Sequence, residues 1–172
     1  MSIYKRIPSM VSPWLNARIM AGFLENYQRN DVRKTHLFEG RYENIYLNTQ
    51  HIPELSALID EAIGHAENFL QLRGLRAGYW FNFMPPGAVT TLHRHDDDDE
   101  LLSAVYYVDA TKNTGNLIIH DNTGGNATNR IEIIPESGDF VFFKPDVPHE
   151  VSRNKSNTSR LSIGINFGIP EK

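Results

Sequence analysis

The sequence predicts a mainly β fold, a sandwich or jelly roll, with two α-helices that precede the strands and cover one outer face. The first 75 residues place apolar side chains at helical spacing, and after them the pattern changes to alternation or short apolar runs. Eight such short segments follow one another, separated by turn residues and with no helix between them. This order favours an antiparallel β-structure over a parallel α/β sheet, in which strands alternate with helices.

Two amphipathic helices are predicted in the first part of the chain. The first begins at Pro13, with Ser12 as its N-cap. Its apolar positions are Leu15, Ile19, Phe23, Leu24 and Tyr27. The second begins at Pro53 and keeps one apolar stripe until Gly74 ends it.

Strands are predicted in the rest of the chain, near residues 76–84, 88–95, 102–109, 115–120, 130–134, 139–143, 148–152 and 159–167. Turns rich in glycine, proline and asparagine separate them, such as Pro85-Pro86-Gly87 and Asn122–Asn126. Ahead of these strands, the segment between the helices (31–52) is predicted to be a loop with one short strand at Asn44–Leu47.

The composition indicates a single globular domain over residues 1–172, with a helical part (1–75) and a β core (76–168). The net charge is −4, and five acidic residues form one run at 96–100, so a broad basic face for nucleic acid is not expected. The chain has no cysteine, which excludes disulfides, thiolate metal sites and a thiol nucleophile. No segment has the length and apolar character of a signal peptide or membrane span, so a soluble, cytoplasmic protein is expected.

Histidines and carboxylates are concentrated between Gly87 and Glu100. If the strand extends that far, His93, His95 and Asp97 alternate along it and line one face. Three potential ligands on one strand make half of a metal site, and the rest has to come from elsewhere in the fold. Four other histidines are expected to be surface or locally hydrogen-bonded residues: His36, His51, His65 and His120.

Two later segments supply the missing groups. His149 follows Pro148 and opens a strand; alone it would be an ordinary turn histidine, but beside the first segment it is a candidate metal ligand. Arg160 and Ser162 alternate with Leu161 and so share one face of their strand. If that face is the interior, a buried arginine without a charge partner is costly. A small-molecule carboxylate, bound by the guanidinium in a bidentate pair, would remove that cost.

These residues resemble the Fe(II)- and 2-oxoglutarate-dependent oxygenases, in particular small prolyl-hydroxylase-like members with a double-stranded β-helix fold. The resemblance covers roughly residues 76–168. Its motifs are the turn Pro85-Pro86-Gly87, the strands at 103–109 and 115–121, and His149 followed by Arg160-x-Ser162.

The resemblance implies a cofactor set and a site. Fe(II) and 2-oxoglutarate are the implied cofactors, and succinate and CO₂ are the implied co-products. By resemblance, Arg160 and Ser162 bind the far carboxylate of 2-oxoglutarate, and Tyr107 contacts the same molecule. His149 takes the position of the distal iron ligand.

Two alternatives remain for the other iron ligands. Spacing from Gly87 puts His93 in the first ligand position and His95 where an aspartate is expected. A shift by two residues gives a His95-x-Asp97 pair, which restores the two-histidine, one-carboxylate triad that suits Fe(II). The candidate metal ligands are therefore His93, His95, Asp97 and His149.

The implied activity is hydroxylation of an aliphatic C–H bond in an amino-acid-like or peptidyl substrate. Asn82 lies on the opposite face of its strand from the core residue Phe81, so it is predicted to line the pocket and contact substrate. The acidic run at 96–100 would favour a cationic substrate if it lies at the mouth of the site. A homodimer is compatible with the sequence, since strands of small β-rolls often pair across a dimer.

Two other classes of function compete with this one. The spacing of His93, His95, Glu100 and His149 also resembles the metal ligands of the cupins, which share the fold. Against a cupin, the glycine expected seven residues after Glu100 is Tyr107, and Arg160-x-Ser162 has no general role there. A β-roll that binds a ligand or partner without metal would leave the histidines and Arg160 as coincidences.

Overall fold

The computed structural model describes residues 2–95, 99–122 and 129–170, and within them it contains two α-helices and eleven β-strands. The helices are α1 (Pro13–Asn26) and α2 (Leu55–Leu70). The strands are β1 (Tyr4–Pro8), β2 (Arg33–Phe38), β3 (Arg41–Tyr46), β4 (Arg76–Met84), β5 (Thr90–His93), β6 (Glu100–Asp109), β7 (Leu117–Asp121), β8 (Asn129–Ile133), β9 (Asp139–Phe143), β10 (His149–Val151) and β11 (Arg160–Gly168).

The strands form two antiparallel sheets. The larger has seven strands in the order β1-β9-β6-β11-β4-β3-β2, and the smaller has four in the order β5-β10-β7-β8. From β4 onward the chain passes back and forth between the two sheets, which is the arrangement of a double-stranded β-helix. The predicted fold class, a mainly β jelly roll with N-terminal helices, is confirmed.

The two helices cover the outer face of the seven-stranded sheet, as the sequence predicts. α1 begins as expected, because the Ser12 side chain accepts a hydrogen bond from the Leu15 N–H at 3.2 Å and caps the first turn. Phe23 of α1 is fully buried, and its ring centroid lies 5.1 Å from that of Phe81 on β4. Apolar residues of both helices join those of β4, β6, β9 and β11 in one core cluster.

Alternation along the strands divides their side chains between this core and the space between the sheets. On β6, Tyr106 belongs to the core beneath the helices, whereas Tyr107 packs in a second cluster between the sheets. Both are fully buried. Because neighbouring residues of a strand point to opposite faces, each central strand supplies the core with one half of its side chains and the inter-sheet space with the other.

Three strands differ from the sequence prediction. β1 was not expected, and the segment between the helices forms a complete hairpin, β2–β3, rather than a loop with one short strand. The hairpin turns at Glu39 and Gly40, whose φ angles are 48° and 76°. A two-residue turn of this type usually carries Asn or Asp before the glycine. Because Glu39 stands there instead, the sequence does not predict a hairpin turn at this position.

The second helix is shorter than predicted at both ends. It begins at Leu55 rather than Pro53, and it ends at Leu70 because Gln71 adopts a left-handed conformation with φ of 54°. The Glu67 side chain then accepts hydrogen bonds from the N–H groups of Gly74 and Leu75.

Neither helix in the described part of the chain combines the length and apolar character needed to cross a membrane.

The packing of α1 on the large sheet gives a test of the core. We expect Phe23→Ala to lower the free energy of unfolding by about 3–5 kcal/mol, because it removes a fully buried ring and leaves a cavity. Leu24→Ala is the matched control, since Leu24 is 51% exposed despite its place in the predicted apolar stripe. Chemical denaturation of both variants measures the difference; equal losses would contradict this packing.

Candidate active site

A cavity of about 580 Å³ lies between the two sheets. One wall is formed by side chains and glycines at alternate positions of the paired strands β4 and β11. These wall residues are Arg76, Gly78, Trp80 and Asn82 from β4 and Arg160, Ser162, Gly164 and Asn166 from β11.

Three histidines meet at this cavity. His93 ends β5 and is the register partner of His149, which begins β10, and His95 follows two residues after β5. One ring nitrogen from each histidine lies within 4.8 Å of the other two. The ring centroids are 4.3 Å apart for His93 and His149, and 5.2 Å apart for His95 and His149. The structure thus brings three of the four predicted ligands together, and the fourth, Asp97, lies outside the described residues.

Two of these rings are fixed in the form that can bind a metal. The Nδ1 of His93 lies 2.7 Å from the Thr91 carbonyl, and that of His149 lies 2.8 Å from the Val147 carbonyl. Since a carbonyl only accepts, each Nδ1 carries the ring proton and each Nε2 keeps its lone pair. Burial, together with the nearby His93, lowers the pKa of His149 to about 3, so its ring is neutral at physiological pH.

The third ring has side chains as neighbours. The Nδ1 of His95 lies 3.2 Å from the Asn166 amide nitrogen and 3.9 Å from a Glu100 carboxylate oxygen. The same Glu100 oxygen accepts a hydrogen bond from Asn166 at 2.7 Å. Among the described residues, the cluster that could hold a metal ion consists of histidines alone, so Glu100 does not join it as the cupin alternative requires.

A buried arginine lies in the same cavity. Arg160 is 1% exposed, and in the described part of the chain no carboxylate forms an ion pair with it. Its Nη1 donates to the Gly115 carbonyl at 2.8 Å, whereas its Nε has no hydrogen-bond partner. Burial lowers the pKa of Arg160, because a charged guanidinium without an ion-pair partner loses free energy of hydration when it is removed from water.

A second unsatisfied donor lies beside it. The Arg160 guanidinium is 5.0 Å from the centre of the Tyr107 ring, and the buried Tyr107 hydroxyl has no hydrogen-bond partner. Burial raises the pKa of Tyr107, so the hydroxyl keeps its proton and remains a donor. Ser162, 2% exposed, is the register partner of Tyr107. Two buried donors without acceptors match the carboxylate of a small molecule, which is the group that the sequence predicts here.

The sequence decides the family. Residues 78–166, more than half of the chain, match the family described as "Putative 2OG-Fe(II) oxygenase". The chain belongs to the 2OG-Fe(II) oxygenase family. This confirms the predicted family and, with it, Fe(II) and 2-oxoglutarate as cofactors. No curated protein matches the chain in sequence.

Solved structures show that this oxygenase shares its fold with enzymes of several kinds. The non-heme alpha ketoglutarate dependent carbocyclase SnoK from nogalamycin biosynthesis has a TM-score of 0.78 and 18% identity, over 97% of this chain and 79% of that one. A Pseudomonas putida prolyl-4-hydroxylase has a TM-score of 0.66 and 20% identity, over 98% and 89%. The epimerase SnoN has a TM-score of 0.77 and 14% identity, over 97% and 78%. At these identities the likeness shows the fold alone.

Asn82 lines the cavity of the oxygenase, as predicted, but its amide is used inside the protein. Its Oδ1 accepts a hydrogen bond from Arg41 at 2.8 Å, and its Nδ2 donates to Thr90 at 2.7 Å. Arg41 also lies 3.8 Å from Glu43, which accepts two hydrogen bonds from Thr91 at 2.8 Å. Asn82 therefore helps to hold β5, the strand that carries His93, and the predicted substrate contact stays a prediction.

Sequence reasoning overlooked two features of the site. Arg41 and Glu43 belong to the unpredicted hairpin, so their link to β5 was hidden. Trp80 lies against Gly164, where an added Cβ would come within 2.5 Å of the indole ring. A glycine at an inward position of a central strand signals such a close approach, and Gly164 could have been found in that way.

The contact between Trp80 and Gly164 gives a second test. We expect Gly164→Ala to displace the indole and lower the free energy of unfolding by about 1–3 kcal/mol, as overpacking does. Gly78→Ala is the matched control on the same wall, because its Cβ would meet nothing within 4 Å. A Trp14→Phe background leaves Trp80 as the only tryptophan, and its emission spectrum reports the displacement. An unchanged spectrum in Gly164→Ala would contradict the contact.

Proposed function

We propose that this oxygenase hydroxylates an aliphatic C–H bond of an amino-acid-like or peptidyl substrate. The proposal assigns iron binding to His93, His95 and His149, with Asp97 the alternative third ligand outside the described residues. It assigns 2-oxoglutarate binding to Arg160, Tyr107 and Ser162. The observation that carries it is the buried Arg160 with a free Nε, in one cavity with three converging histidines.

The spacing of these groups supports the assignment. His149 and Val151 point the same way along β10, about 7 Å apart at strand spacing. Val151 packs next to Gly115, the residue whose carbonyl accepts the hydrogen bond from Arg160. The guanidinium therefore lies about as far from the histidine cluster as the Val151 side chain lies from His149, which is one same-face repeat along β10. A five-carbon dicarboxylate can span that separation, with one end at the metal and the other at Arg160.

The chain contributes binding, orientation and exclusion of water. The Gly115 carbonyl accepts a hydrogen bond from Nη1 of Arg160, whereas Nε has no partner. The Nε–H can therefore donate to a bound carboxylate, and so can the Tyr107 hydroxyl beside it. An ion pair formed in such a buried place is stronger than one in water. Bound iron and 2-oxoglutarate supply the oxidation, in which O₂ is consumed and succinate, CO₂ and a hydroxylated product are formed. Trp80 and Gly78 form the adjoining wall, where a substrate can reach the metal.

Anaerobic visible absorption tests the proposal. We expect a weak charge-transfer band when Fe(II) and then 2-oxoglutarate are added, because the keto acid chelates ferrous iron. His149→Ala should abolish the band, since it removes a buried ligand. Iron binding without a band would contradict the 2-oxoglutarate assignment, and binding of neither would contradict the whole proposal.

Arg160→Lys tests the carboxylate site. We expect the dissociation constant for 2-oxoglutarate to rise at least about tenfold, because lysine cannot form the planar, bidentate pair. Arg153→Lys, at an exposed arginine, is the matched control. Titration of the absorption band measures both variants. An unchanged affinity in Arg160→Lys would refute the role of Arg160.

The reaction type requires a separate measurement, since the structural relatives include a carbocyclase and an epimerase. Candidate amino acids and peptides are screened for stimulated succinate release, and mass spectrometry measures the mass of the product. We expect the product to be heavier than the substrate by one oxygen atom. Succinate release with a product of unchanged mass, or one that has lost two hydrogens, would exclude hydroxylation and leave the oxygenase site intact.

A further inference from the structure

The three histidines are oriented by different means. His93 and His149 each donate Nδ1–H to the backbone carbonyl two residues earlier, a local contact that β5 and β10 provide by themselves. The Nδ1 of His95 instead faces two side chains of the opposite sheet, Asn166 and Glu100. A role for these two side chains rests on the proposed function of the cluster in binding metal.

The two side chains belong to a hydrogen-bonded chain on the central strands. Asn166 of β11 is the register partner of Ser103 of β6, and the Ser103 hydroxyl donates to its Oδ1 at 2.8 Å. The Asn166 Nδ2 donates to Glu100 at 2.7 Å and lies 3.2 Å from His95. Asn166 is 5% exposed and Ser103 is 1% exposed. The amide is thus fixed at both ends in a buried setting, and it determines where the Glu100 oxygen lies.

The chemistry of these groups gives Asn166 and Glu100 opposite effects on His95. An amide nitrogen only donates, so while Asn166 is bonded to Nδ1 the ring proton lies on Nε2. A metal bound at Nε2 requires the proton on Nδ1, and that N–H then needs an acceptor. The Glu100 carboxylate, 3.9 Å from Nδ1, is such an acceptor. A side-chain shift of roughly 1 Å brings it to the usual distance of a charge-assisted hydrogen bond.

We propose that Glu100, aimed by Asn166 and Ser103, is the positioning residue that makes His95 a metal ligand. Its carboxylate accepts a hydrogen bond from the Nδ1–H of His95, which keeps the ring proton on Nδ1 and leaves the Nε2 lone pair available to a metal. Glu100 acts through His95 and does not itself bind the metal. The last residue of the acidic run is thereby assigned a role at the metal site.

Metal affinity, measured without 2-oxoglutarate or substrate, tests this proposal. Co(II) is titrated into the Trp14→Phe protein, and binding is followed by quenching of Trp80, whose ring centroid lies 5.5 Å from that of His95. We expect Glu100→Gln to weaken Co(II) binding about 10–100-fold, as loss of an outer-shell partner does. Glu150→Gln is the matched control, because its carboxylate pairs with His120 at 2.9 Å, outside the cluster. Its affinity should not change.

A double-mutant cycle shows whether Glu100 acts through His95. In a His95→Ala background, Glu100→Gln should have no further effect on Co(II) affinity, since the ring that it positions is gone. An equal loss in both backgrounds, or no loss in either, would overturn the proposal. A direct bond from Glu100 to the metal would give that equal loss, since Glu100→Gln would then remove a ligand in either background.

Glu100→Asp is the second variant if Glu100→Gln fails to fold, which circular dichroism detects, because its shorter side chain draws the carboxylate away from His95. It should weaken Co(II) binding in the same direction, and again only when His95 is present. Since 2-oxoglutarate takes no part in these measurements, their outcome is independent of the absorption-band test. Loss of the band with an intact Glu100–His95 coupling would contradict the proposed function alone.

Discussion

An unpaired guanidinium in the interior is the constraint on which this site depends. Arg160 begins β11, at the centre of the seven-stranded sheet, and it is almost fully buried. Its Nε and the Tyr107 hydroxyl lack acceptors, and burying such donors costs free energy that the remaining core must offset. The chain keeps a costly pair of donors in a place where a small dicarboxylate removes the cost. Under the proposed function, part of the binding energy for 2-oxoglutarate is therefore already present in the fold before the molecule binds.

Strand alternation lets β11 serve the core and the site at once. Its odd-numbered residues Leu161, Ile163, Ile165 and Phe167 are fully buried in the core beneath the helices. Its even-numbered residues line the cavity and include Arg160, Ser162, Gly164 and Asn166. A change of one residue in register would exchange the two sets. The long pairing of β11 with β4 and β6 thus fixes both the hydrophobic packing and the positions of the residues proposed to bind 2-oxoglutarate.

How far the sequence predicts this structure depends on the range of each interaction. The eight later strands and the two helices follow from local periodicity and turn residues, whereas the grouping of His149 with His93 and His95 is implied by the family resemblance. The β2–β3 hairpin was missed because Glu39 is unusual at its turn position. His95 and Glu100 are close in the sequence, and their spacing signals a possible pair, but Asn166, which lies beside both side chains, is more than 60 residues away. No local pattern signals the contribution of Asn166, so only the strand register reveals it.

The two described residues at the end of the acidic run have different partners. A cationic substrate is expected if the run lies at the mouth of the site; Asp99 pairs with Arg76, and Glu100 accepts a hydrogen bond from Asn166. The Arg76 guanidinium offsets the charge of Asp99, whereas the neutral amide of Asn166 leaves the charge of Glu100 in place, so the expectation stays a prediction. Enzymes of this fold include a hydroxylase, a carbocyclase and an epimerase. Because one fold serves these different enzymes, the fold alone does not fix the reaction. In the described part of the cavity the wall is shaped by Trp80, which lies over Gly164, and by Gly78, which leaves space beside it.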